Sequence, residues 1–371
     1  MKRKLTRSGL SLLFLILFVF TSVSLPAFAD ESDSLLYKPS FDDEGLETSI
    51  NEDGKEEYAF TAELSLTSFK DTDMPFTFAA SPVETSSYYA QLSNGAKACY
   101  NKIKATSIDT IISAKKKLVG SDMYNTVEFS ADSITGTVIS GSIRNNYFTA
   151  DSNGAAIEKR IYTDFATAWL AISYDYPEYL WLRNISYGFD IEAIPGNKNA
   201  VKVTSVVFGF KLLYNGQEKQ MYNEMNTAVD KIVNSVTKNS DDRYTKLLAV
   251  YNYIKENNVY SEDTSNSLSH TPYSALIIGD NHDPVCDGYS GALKMLCRKL
   301  NIPCQEIIST TYNPGHMWNN VQMDDGKWYN TDLTWETPSK GENKYFLLGT
   351  KSKINGSVEF NSEPNHIEAN I

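Results

Sequence analysis

The chain begins with a hydrophobic block rather than an amphipathic pattern. An apolar run over residues 10–20 follows a basic segment at 2–7, and Ala-Phe-Ala at 27–29 precedes an acidic stretch. This order of charge, apolar run and small residues is typical of a cleavable secretory signal. The run is short for a permanent membrane span. We therefore predict a signal peptide over 1–29 and a secreted protein with no stable membrane insertion.

Residues 30–82 show little hydrophobic periodicity. Acidic side chains outnumber basic ones up to Glu57, and Pro, Ser, Gly and Asn lie between them. Segments of this composition bury too little apolar surface to fold by themselves. The pattern predicts an acidic flexible leader over 30–82.

Periodic patterns begin near Ser86 and alternate between helix and strand. Apolar residues at helical spacing predict helices over 89–103, 161–172 and 221–236, and alternation over 127–149 predicts short strands. A further strand is expected over 201–214, followed by an Asn-Gly turn. These elements indicate an α+β accessory domain over 83–238 in which we find no motif that carries chemistry.

The segment from residue 239 onward contains a cysteine at a predicted helix start. A first helical pattern covers 244–254, with Ser240 as its expected N-cap. A second runs from Tyr289 to Leu300 and places Cys286 at its N-terminus. Backbone N–H groups and the helix dipole favour a thiolate there. We therefore expect a lowered pKa for Cys286 and a role as nucleophile.

A histidine and an aspartate occur on the two arms of a predicted hairpin downstream. Asp324-Asp325-Gly326 predicts a three-residue loop with its glycine in the left-handed region. That loop makes His316 and Asp332 diagonal neighbours on one face, within reach of a side-chain hydrogen bond. A two-residue loop would put them on opposite faces. The register therefore assigns His316 as the base and Asp332 as its orienting carboxylate.

Composition and charge narrow the function classes. The chain has 371 residues, 42% of them hydrophobic, and a net charge of -12, as in an acidic globular protein. Removal of residues 1–29 takes away only positive charges, so nucleic acid is excluded as a partner. No calcium loop or zinc spacing is visible, and His282 is interpreted as part of a solvated loop. We expect no metal and no cofactor.

Four cysteines are too few for a disulfide framework in a chain of this length. Cys99 lies on the apolar face of the first predicted helix and is interpreted as a small buried hydrophobe. We expect Cys297 and Cys304 to be buried thiols rather than a disulfide, although export would permit a bridge between them.

Three stretches, VCDGYS, GHMWNNV and KWYNTDLTW, resemble the motifs of the transglutaminase-like superfamily, a branch of the papain-like cysteine acyl-transfer enzymes. The flanks YNYIKENNVY, LCRKLNIPC and KYFLLG resemble the preceding helix, the cysteine helix with its strand, and a strand after the aspartate. The resemblance covers 240–350 strongly and 160–240 weakly. One departure is a loop at 280–284 that is longer than the family's usual spacing.

The resemblance implies an α+β fold in which the nucleophile lies at the N-terminus of a helix packed on an antiparallel sheet. It also implies Cys286 as the nucleophile, His316 as general base and acid, and Asp332 as the orienting carboxylate. We therefore predict a transglutaminase-like catalytic domain over 239–371.

Three functions are compatible with this domain. The first is a secreted enzyme that hydrolyses peptide or amide bonds of proteins or peptides through a thioester at Cys286. The others are a cross-linking transglutaminase, for which Trp318 and Trp335 could wall an amine channel, and a non-catalytic surface or cell-wall binding module. The intact Cys, His and Asp set favours an enzyme, and the signal sequence disfavours an intracellular regulatory enzyme. The partner expected is a protein or peptide substrate.

Overall fold

The computed structural model describes residues 48–50, 56–65, 88–119, 122–144, 147–279, 283–309, 316–336 and 343–349. The chain forms two compact units, which we call unit 1 and unit 2. Unit 1 takes the described residues up to 69, 91–172 and 181–218, and unit 2 takes those at 70–90, 173–180 and 219 onward. The division thus falls before residue 239 and assigns the turn at 173–180 to unit 2. The predicted signal peptide lies outside the described residues.

The strands are β1 (Thr48–Ile50), β2 (Glu56–Ser65), β3 (Lys115–Val119), β4 (Asp122–Phe129), β5 (Val138–Arg144), β6 (Tyr147–Ala150), β7 (Asn184–Ile194), β8 (Asn197–Phe210), β9 (Cys304–Ser309), β10 (His316–Gln322) and β11 (Trp328–Thr331). The α-helices are α1 (Asn94–Ala105), α2 (Ile108–Ser113), α3 (Ser152–Asp175), α4 (Glu218–Val236), α5 (Arg243–Asn257), α6 (Pro272–Leu276), α7 (Cys286–Lys299) and α8 (Leu333–Glu336). Short 3-10 helices cover Tyr88–Gln91 and Leu180–Leu182.

Unit 1 is built on an antiparallel sheet. Its strands run in the order β1-β2-β7-β8-β4-β3, and β5 pairs with both β8 and β6. Helix α3 contributes Phe165, whose ring lies 5.3 Å from that of Tyr187 on β7 and 5.6 Å from that of Phe208 on β8. Aromatic pairs of this kind bury large apolar areas, so helix and sheet share one core.

The prediction of a flexible leader over 30–82 is wrong for two segments, because strands β1 and β2 lie within this range. Strand β2 pairs with β7 from Tyr58 opposite Ile191 to Ser65 opposite Asn184. From Phe60 to Ser65 its sequence FTAELS alternates apolar and polar residues, which is the period of a strand. The acidic composition of the surrounding segment concealed this alternation.

Strand β7 has no predicted counterpart. All residues from Asn184 to Phe189 are buried, so the polar and apolar alternation that marks a one-sided strand is missing. Its partner β8 begins and ends earlier than the predicted strand over 201–214. The predicted turn that follows has positive φ at both Asn215 and Gly216.

Unit 2 is built around helix α7. Its residues from Gly288 to Cys297 are all buried, and it packs against α5, α6, β9 and β10. The three strands of unit 2 form an antiparallel sheet in the order β11-β10-β9. A buried helix against an antiparallel sheet is the α+β architecture predicted from the sequence, which is confirmed.

The hairpin of β10 and β11 has the predicted register. Gln322 faces Trp328, and the Met323 N–H donates to the Lys327 carbonyl at 3.0 Å. Gly326 has φ of 78°, in the left-handed region that a three-residue loop requires. The loop type, and with it the face on which each side chain lies, is confirmed.

Regular strand structure ends soon after the hairpin loop. Strand β11 ends at Thr331, where the Asp332 side chain accepts the Trp335 backbone N–H and begins helix α8. The KYFLLG segment contributes only a single bridge between Leu348 and Asn330.

The expected N-cap of α5 is also corrected. The helix begins at Arg243, and its cap is Asp242 rather than Ser240. The Asp242 carboxylate accepts the Thr245 N–H at 2.7 Å. A negative charge at this end is stabilised by the helix dipole as well as by the hydrogen bond.

Candidate active site

Cys286 is the first residue of α7, as predicted. Its N-cap is Val285, whose apolar side chain makes no capping hydrogen bond. The first N–H groups of a helix have no partner within the helix and carry the positive end of its dipole. As a whole residue Cys286 is partly exposed, although its sulfur is largely removed from solvent.

A close backbone approach fixes the start of α7. A Cβ on Gly288 would lie 2.4 Å from the Ser269 carbonyl oxygen and 2.9 Å from Ser274 Oγ. The same Ser269 carbonyl accepts the Val285 N–H at 3.0 Å. The glycine of VCDGYS is therefore required by packing, since any side chain would push α7 away from the segment that precedes it.

His316 is the first residue of β10 and is 9% exposed. Its Nε2 lies 2.5 Å from Oδ2 of Asp332, so the side-chain contact expected from the hairpin register is present. The Trp335 indole stacks on the imidazole with ring centroids 4.8 Å apart and planes within 5°. Trp318 lies near the same imidazole at 5.9 Å. Aromatic contacts and a carboxylate together hold the ring in one orientation.

Asp332 is itself fixed on several sides. Its side chain is fully buried, and its Oδ1 accepts the Trp335 N–H at 3.2 Å. Its own backbone N–H donates to the Tyr345 carbonyl at 2.9 Å. The carboxylate that meets His316 is thus the N-cap of a short helix, which leaves it little freedom to turn away.

The pKa of the Cys286 thiol is raised, and the predicted lowering is wrong. Burial of the sulfur is the largest cause, followed by the negative charge of Asp287, and Asp332 adds to both. The backbone N–H groups of Met317 and Asp287 favour the thiolate but do not outweigh these effects. The helix N-terminus is therefore not the dominant influence on the pKa of this thiol.

These influences also show which residues come together. The Met317 N–H that acts on the Cys286 sulfur belongs to the residue after His316 on β10, and Asp332 is close enough to affect the same thiol electrostatically. Asp332 and the residue after His316 thus both act on the Cys286 sulfur, and Asp332 itself contacts His316.

Asn319 is a site residue that the sequence analysis missed. It is 1% exposed, and its Nδ2 donates to the Ser290 carbonyl of α7 at 3.0 Å and to Cys304 Sγ at 3.5 Å. A buried amide with these partners ties the cysteine helix to the histidine strand. The NN pair of GHMWNNV was the available signal.

A buried charged cluster on the other side of α7 was missed as well. Lys294 is 4% exposed, donates to the Tyr174 carbonyl, and has its Nζ 3.7 Å from Asp175 Oδ1. Arg298, one turn later, pairs with Glu178. The carboxylates of Asp175 and Glu178 therefore compensate two cations of the cysteine helix, the buried Lys294 and the more exposed Arg298.

All four cysteines are unpaired in the described part of the chain. Cys297 and Cys304 are 0% and 5% exposed, and a hydrogen bond between their side chains raises the pKa of Cys297. Cys99 is also fully buried, and burial raises the pKa of its thiol. The expectation of buried thiols rather than a bridge is confirmed.

Two features are not found among the described residues. No group of three or more His, Cys, Asp or Glu side chains is placed to hold a metal ion there. No helix in this part of the chain is long and apolar enough to cross a membrane. His282, interpreted from the sequence as part of a solvated loop, lies outside the described residues.

Comparison with known proteins agrees with the site. The family model of the transglutaminase-like superfamily matches residues 230–333. The solved structures that resemble the chain include that of a TGase, with 16% identity, a TM-score of 0.27 and 41% of this chain aligned to 45% of that one. They also include the periplasmic domain of TgpA from Pseudomonas aeruginosa bound to ethylmercury, with 10% identity, a TM-score of 0.24 and 41% aligned to 73%.

Both structural likenesses are weak, and the chain spans less than half of the TGase. No curated protein matches its sequence. The family match covers the cysteine helix, the histidine strand and the aspartate, which are the elements that form the site. The chain therefore carries a domain of the transglutaminase-like superfamily over residues 230–333.

Proposed function

We propose that this chain is an exported cysteine-dependent enzyme that hydrolyses peptide or amide bonds through a thioester at Cys286. The observation that carries the proposal is the His316–Asp332 contact of 2.5 Å, on a strand whose next backbone N–H acts on the Cys286 sulfur. A packing role alone would not call for an imidazole oriented by a carboxylate on the strand whose backbone N–H acts on a cysteine at a helix N-terminus.

The first half of the reaction forms the thioester. Because Nε2 of His316 faces Asp332, its Nδ1 takes the proton of the Cys286 thiol as Sγ attacks the carbonyl carbon. The raised pKa of the thiol means that proton transfer accompanies attack. Asp332 stabilises the imidazolium that results. The imidazolium then protonates the leaving nitrogen, the C–N bond breaks, and an amine or ammonia departs.

The second half releases the acid. His316 takes a proton from water, whose oxygen attacks the thioester carbon, and the C–S bond breaks as the proton returns to Sγ. We assign the backbone N–H of Cys286, at the positive end of α7, as a donor to the oxyanion in both halves. The product is a carboxylic acid, and the thiol is regenerated.

Hydrolysis is favoured over cross-linking by the position of the two indoles. Trp318 is 2% exposed and donates its Nε1–H to Asn330 at 2.9 Å, which supports a core role. Trp335 lies flat on His316, which supports an orienting role. Neither indole is arranged as the wall of a separate amine channel, so water is the expected acceptor.

The substrate we propose is a protein or peptide met outside the cell. The signal sequence supports export, and the acidic charge of -12 argues against nucleic acid. No cofactor enters the proposed reaction.

An electrophilic glutamine-mimic probe tests the proposal. We expect adduct formation on Cys286 of the full mature chain and none on Cys286→Ala, whereas Cys99→Ser, which alters a fully buried cysteine of unit 1, should label normally. A second assay offers a labelled primary amine with a glutamine-containing protein. Cleavage or deamidation without amine incorporation supports the hydrolase, and efficient incorporation supports the transglutaminase.

The binding-module alternative predicts a third outcome. Neither a probe adduct nor any product would then form, and the wild-type chain and Cys286→Ala would bind the same surface equally. That result would contradict both enzymatic readings.

A further inference from the structure

A second histidine lies beside the candidate nucleophile, outside the predicted site. His270 has its Nδ1 at 2.9 and 3.0 Å from the two carboxylate oxygens of Asp287. Its Nε2 lies 2.8 Å from the carbonyl oxygen of Thr264. Asp287 is the residue directly after Cys286.

Both partners of this imidazole are acceptors. A carboxylate that is ionised and a backbone carbonyl can only accept hydrogen bonds, and a neutral imidazole has one N–H. Two short contacts to acceptors are satisfied together only when both ring nitrogens carry a proton. The geometry therefore favours a positively charged His270 paired with a negatively charged Asp287.

We propose that His270 is a positioning residue that, as an imidazolium, neutralises the carboxylate of Asp287 and so protects the reactivity of the Cys286 thiol. The inference rests on the proposed function in one respect, namely that Cys286 is the nucleophile. It adds an electrostatic component to the site that neither the sequence motifs nor the His316–Asp332 pair provides.

The charges that act on Cys286 support this role. Asp287 is the largest electrostatic cause that raises the pKa of the Cys286 thiol, and Asp332 from the end of β11 acts in the same direction. Asp332 contacts the His316 ring. Asp287 has the corresponding contact with His270, so each carboxylate that disfavours the thiolate has an imidazole partner.

Backbone hydrogen bonds around this pair hold it in place. Asp287 Oδ1 also accepts the Gly288 N–H at 3.2 Å. Residue 269, before His270, accepts the Val285 N–H. Asp263, next to Thr264, is engaged within its own turn, where its Oδ1 accepts the Ser265 N–H and hydroxyl. Solvent screens the pair in part, because the side chains of His270 and Asp287 are 31% and 20% exposed.

The test compares iodoacetamide alkylation of Cys286 in the full mature chain and three variants. At pH 7, His270→Gln should slow alkylation by about tenfold, because an uncompensated negative charge nearby raises a thiol pKa by roughly one unit. Asp287→Asn should not slow it. The double variant His270→Gln with Asp287→Asn should return the rate to at least the wild-type value.

The double variant separates electrostatics from structure. If His270 only packs, the double variant will alkylate as slowly as His270→Gln or more slowly, and the proposal is overturned. It is also overturned if His270→Gln alkylates at the wild-type rate. Circular dichroism of each variant shows that rates are compared between folded proteins.

A direct observation of the ring gives a second criterion. In protein labelled with ¹⁵N-histidine, the resonances absent from His270→Gln belong to His270. We expect both of its ring nitrogens to be protonated at pH 7, and a neutral ring would overturn the proposal.

Failure of the His270 proposal can be distinguished from failure of the proposed enzymatic function. Alkylation and NMR do not need turnover. If the single and double variants alkylate at the expected rates, the role of His270 stands even if Cys286→Ala retains full activity and the enzyme proposal fails. If the alkylation rates do not follow this pattern but Cys286→Ala is inactive, the enzyme proposal stands and only the role of His270 is rejected.

Discussion

The Nε2 atom of His316 lies 2.5 Å from Oδ2 of Asp332, although β11 ends before the aspartate. The hairpin register brings the two residues to the same side, and the start of helix α8 turns the carboxylate toward the ring. The contact thus depends on a loop type, a strand register and a helix cap together. It also leaves Nδ1 as the ring nitrogen that does not face the carboxylate.

Asp332→Asn should leave the protein folded and reduce turnover strongly. An amide at this position donates to Nε2 and favours the wrong imidazole tautomer, which in a serine-protease triad reduces the rate by about 10⁴-fold. We expect a large loss in kcat with little change in KM, measured on whichever amide substrate the probe assay identifies.

The control for this variant is Asp230→Asn on α4. Asp230 pairs with Lys299, and both side chains are about half exposed, so loss of that pair should change little. Wild-type turnover in Asp332→Asn would exclude the orienting role of the carboxylate.

Gly288→Ala should lower both the free energy of unfolding and the turnover. The added Cβ would lie 2.4 Å from the Ser269 carbonyl oxygen, and such overpacking costs about 1–3 kcal/mol. The displacement acts directly on the start of α7, where Cys286 lies. Urea unfolding and steady-state kinetics measure the two effects.

Gly196→Ala is the matched control for backbone strain. Gly196 has φ of 77°, and nothing lies within 4 Å of an added Cβ, so the change should cost about 1 kcal/mol by strain alone. Turnover should be unaffected because Gly196 belongs to unit 1. Equal kinetic effects of the two substitutions would show that the close approach at Gly288 does not position the nucleophile.

Cys286 should react with iodoacetamide faster than the other three cysteines. The reason is access rather than a lowered pKa, since Cys99, Cys297 and Cys304 are at most 5% exposed while Cys286 is partly exposed. The rate should rise with pH through neutrality, because the pKa of the Cys286 thiol is raised. Mass spectrometry of time points gives the four rates, and similar rates in the folded protein would contradict the structure.

Glu158 should make the stability of the protein fall as pH rises. Burial raises the pKa of this carboxyl to about 7, from an ordinary value of 4.5, and its Oε1 has no hydrogen-bond partner among the described residues. The unfolded chain loses this proton at lower pH than the folded protein, so the loss of stability begins near pH 4.5 and is complete above about 7. Glu158→Gln should stabilise the protein at pH 8 by at most about 3 kcal/mol and have little effect at pH 4.

Asp151→Asn should change the pH dependence of folding stability in the opposite direction. Hydrogen bonds from the Ser140 hydroxyl and the Gly154 and Asn153 N–H groups lower the pKa of Asp151. Its contribution to stability is therefore present at neutral pH and is lost as pH falls below the ordinary range of an aspartate. Urea unfolding at pH 8, pH 4 and about pH 2.5 distinguishes the two variants, because the effect of Asp151→Asn should fade only at the lowest pH. A pH-independent effect of Glu158→Gln would contradict the buried carboxyl.

Local patterns in the sequence were sufficient for the features that depend on near neighbours. The spacing from Tyr289 to Leu300 located α7 and placed Cys286 at its start. The Gly326 loop set the register of β10 and β11, and with it the shared side of His316 and Asp332. Each of these rests on backbone geometry within one helix or one hairpin, which neighbouring residues control.

The remaining features were decided by residues distant in the chain. The raised pKa of Cys286 comes mainly from burial, with the charges of the neighbouring Asp287 and the distant Asp332 adding to it. The His270–Asp287 pair joins a turn to a helix, and neither the burial nor this pair follows from sequence spacing. Strand β7 is buried along its first half and so lacks alternation, while β2 joins the sheet from within a segment whose overall charge predicted a flexible leader. Burial and charge pairing are properties of the folded surroundings, and only the tertiary structure fixes what surrounds each side chain.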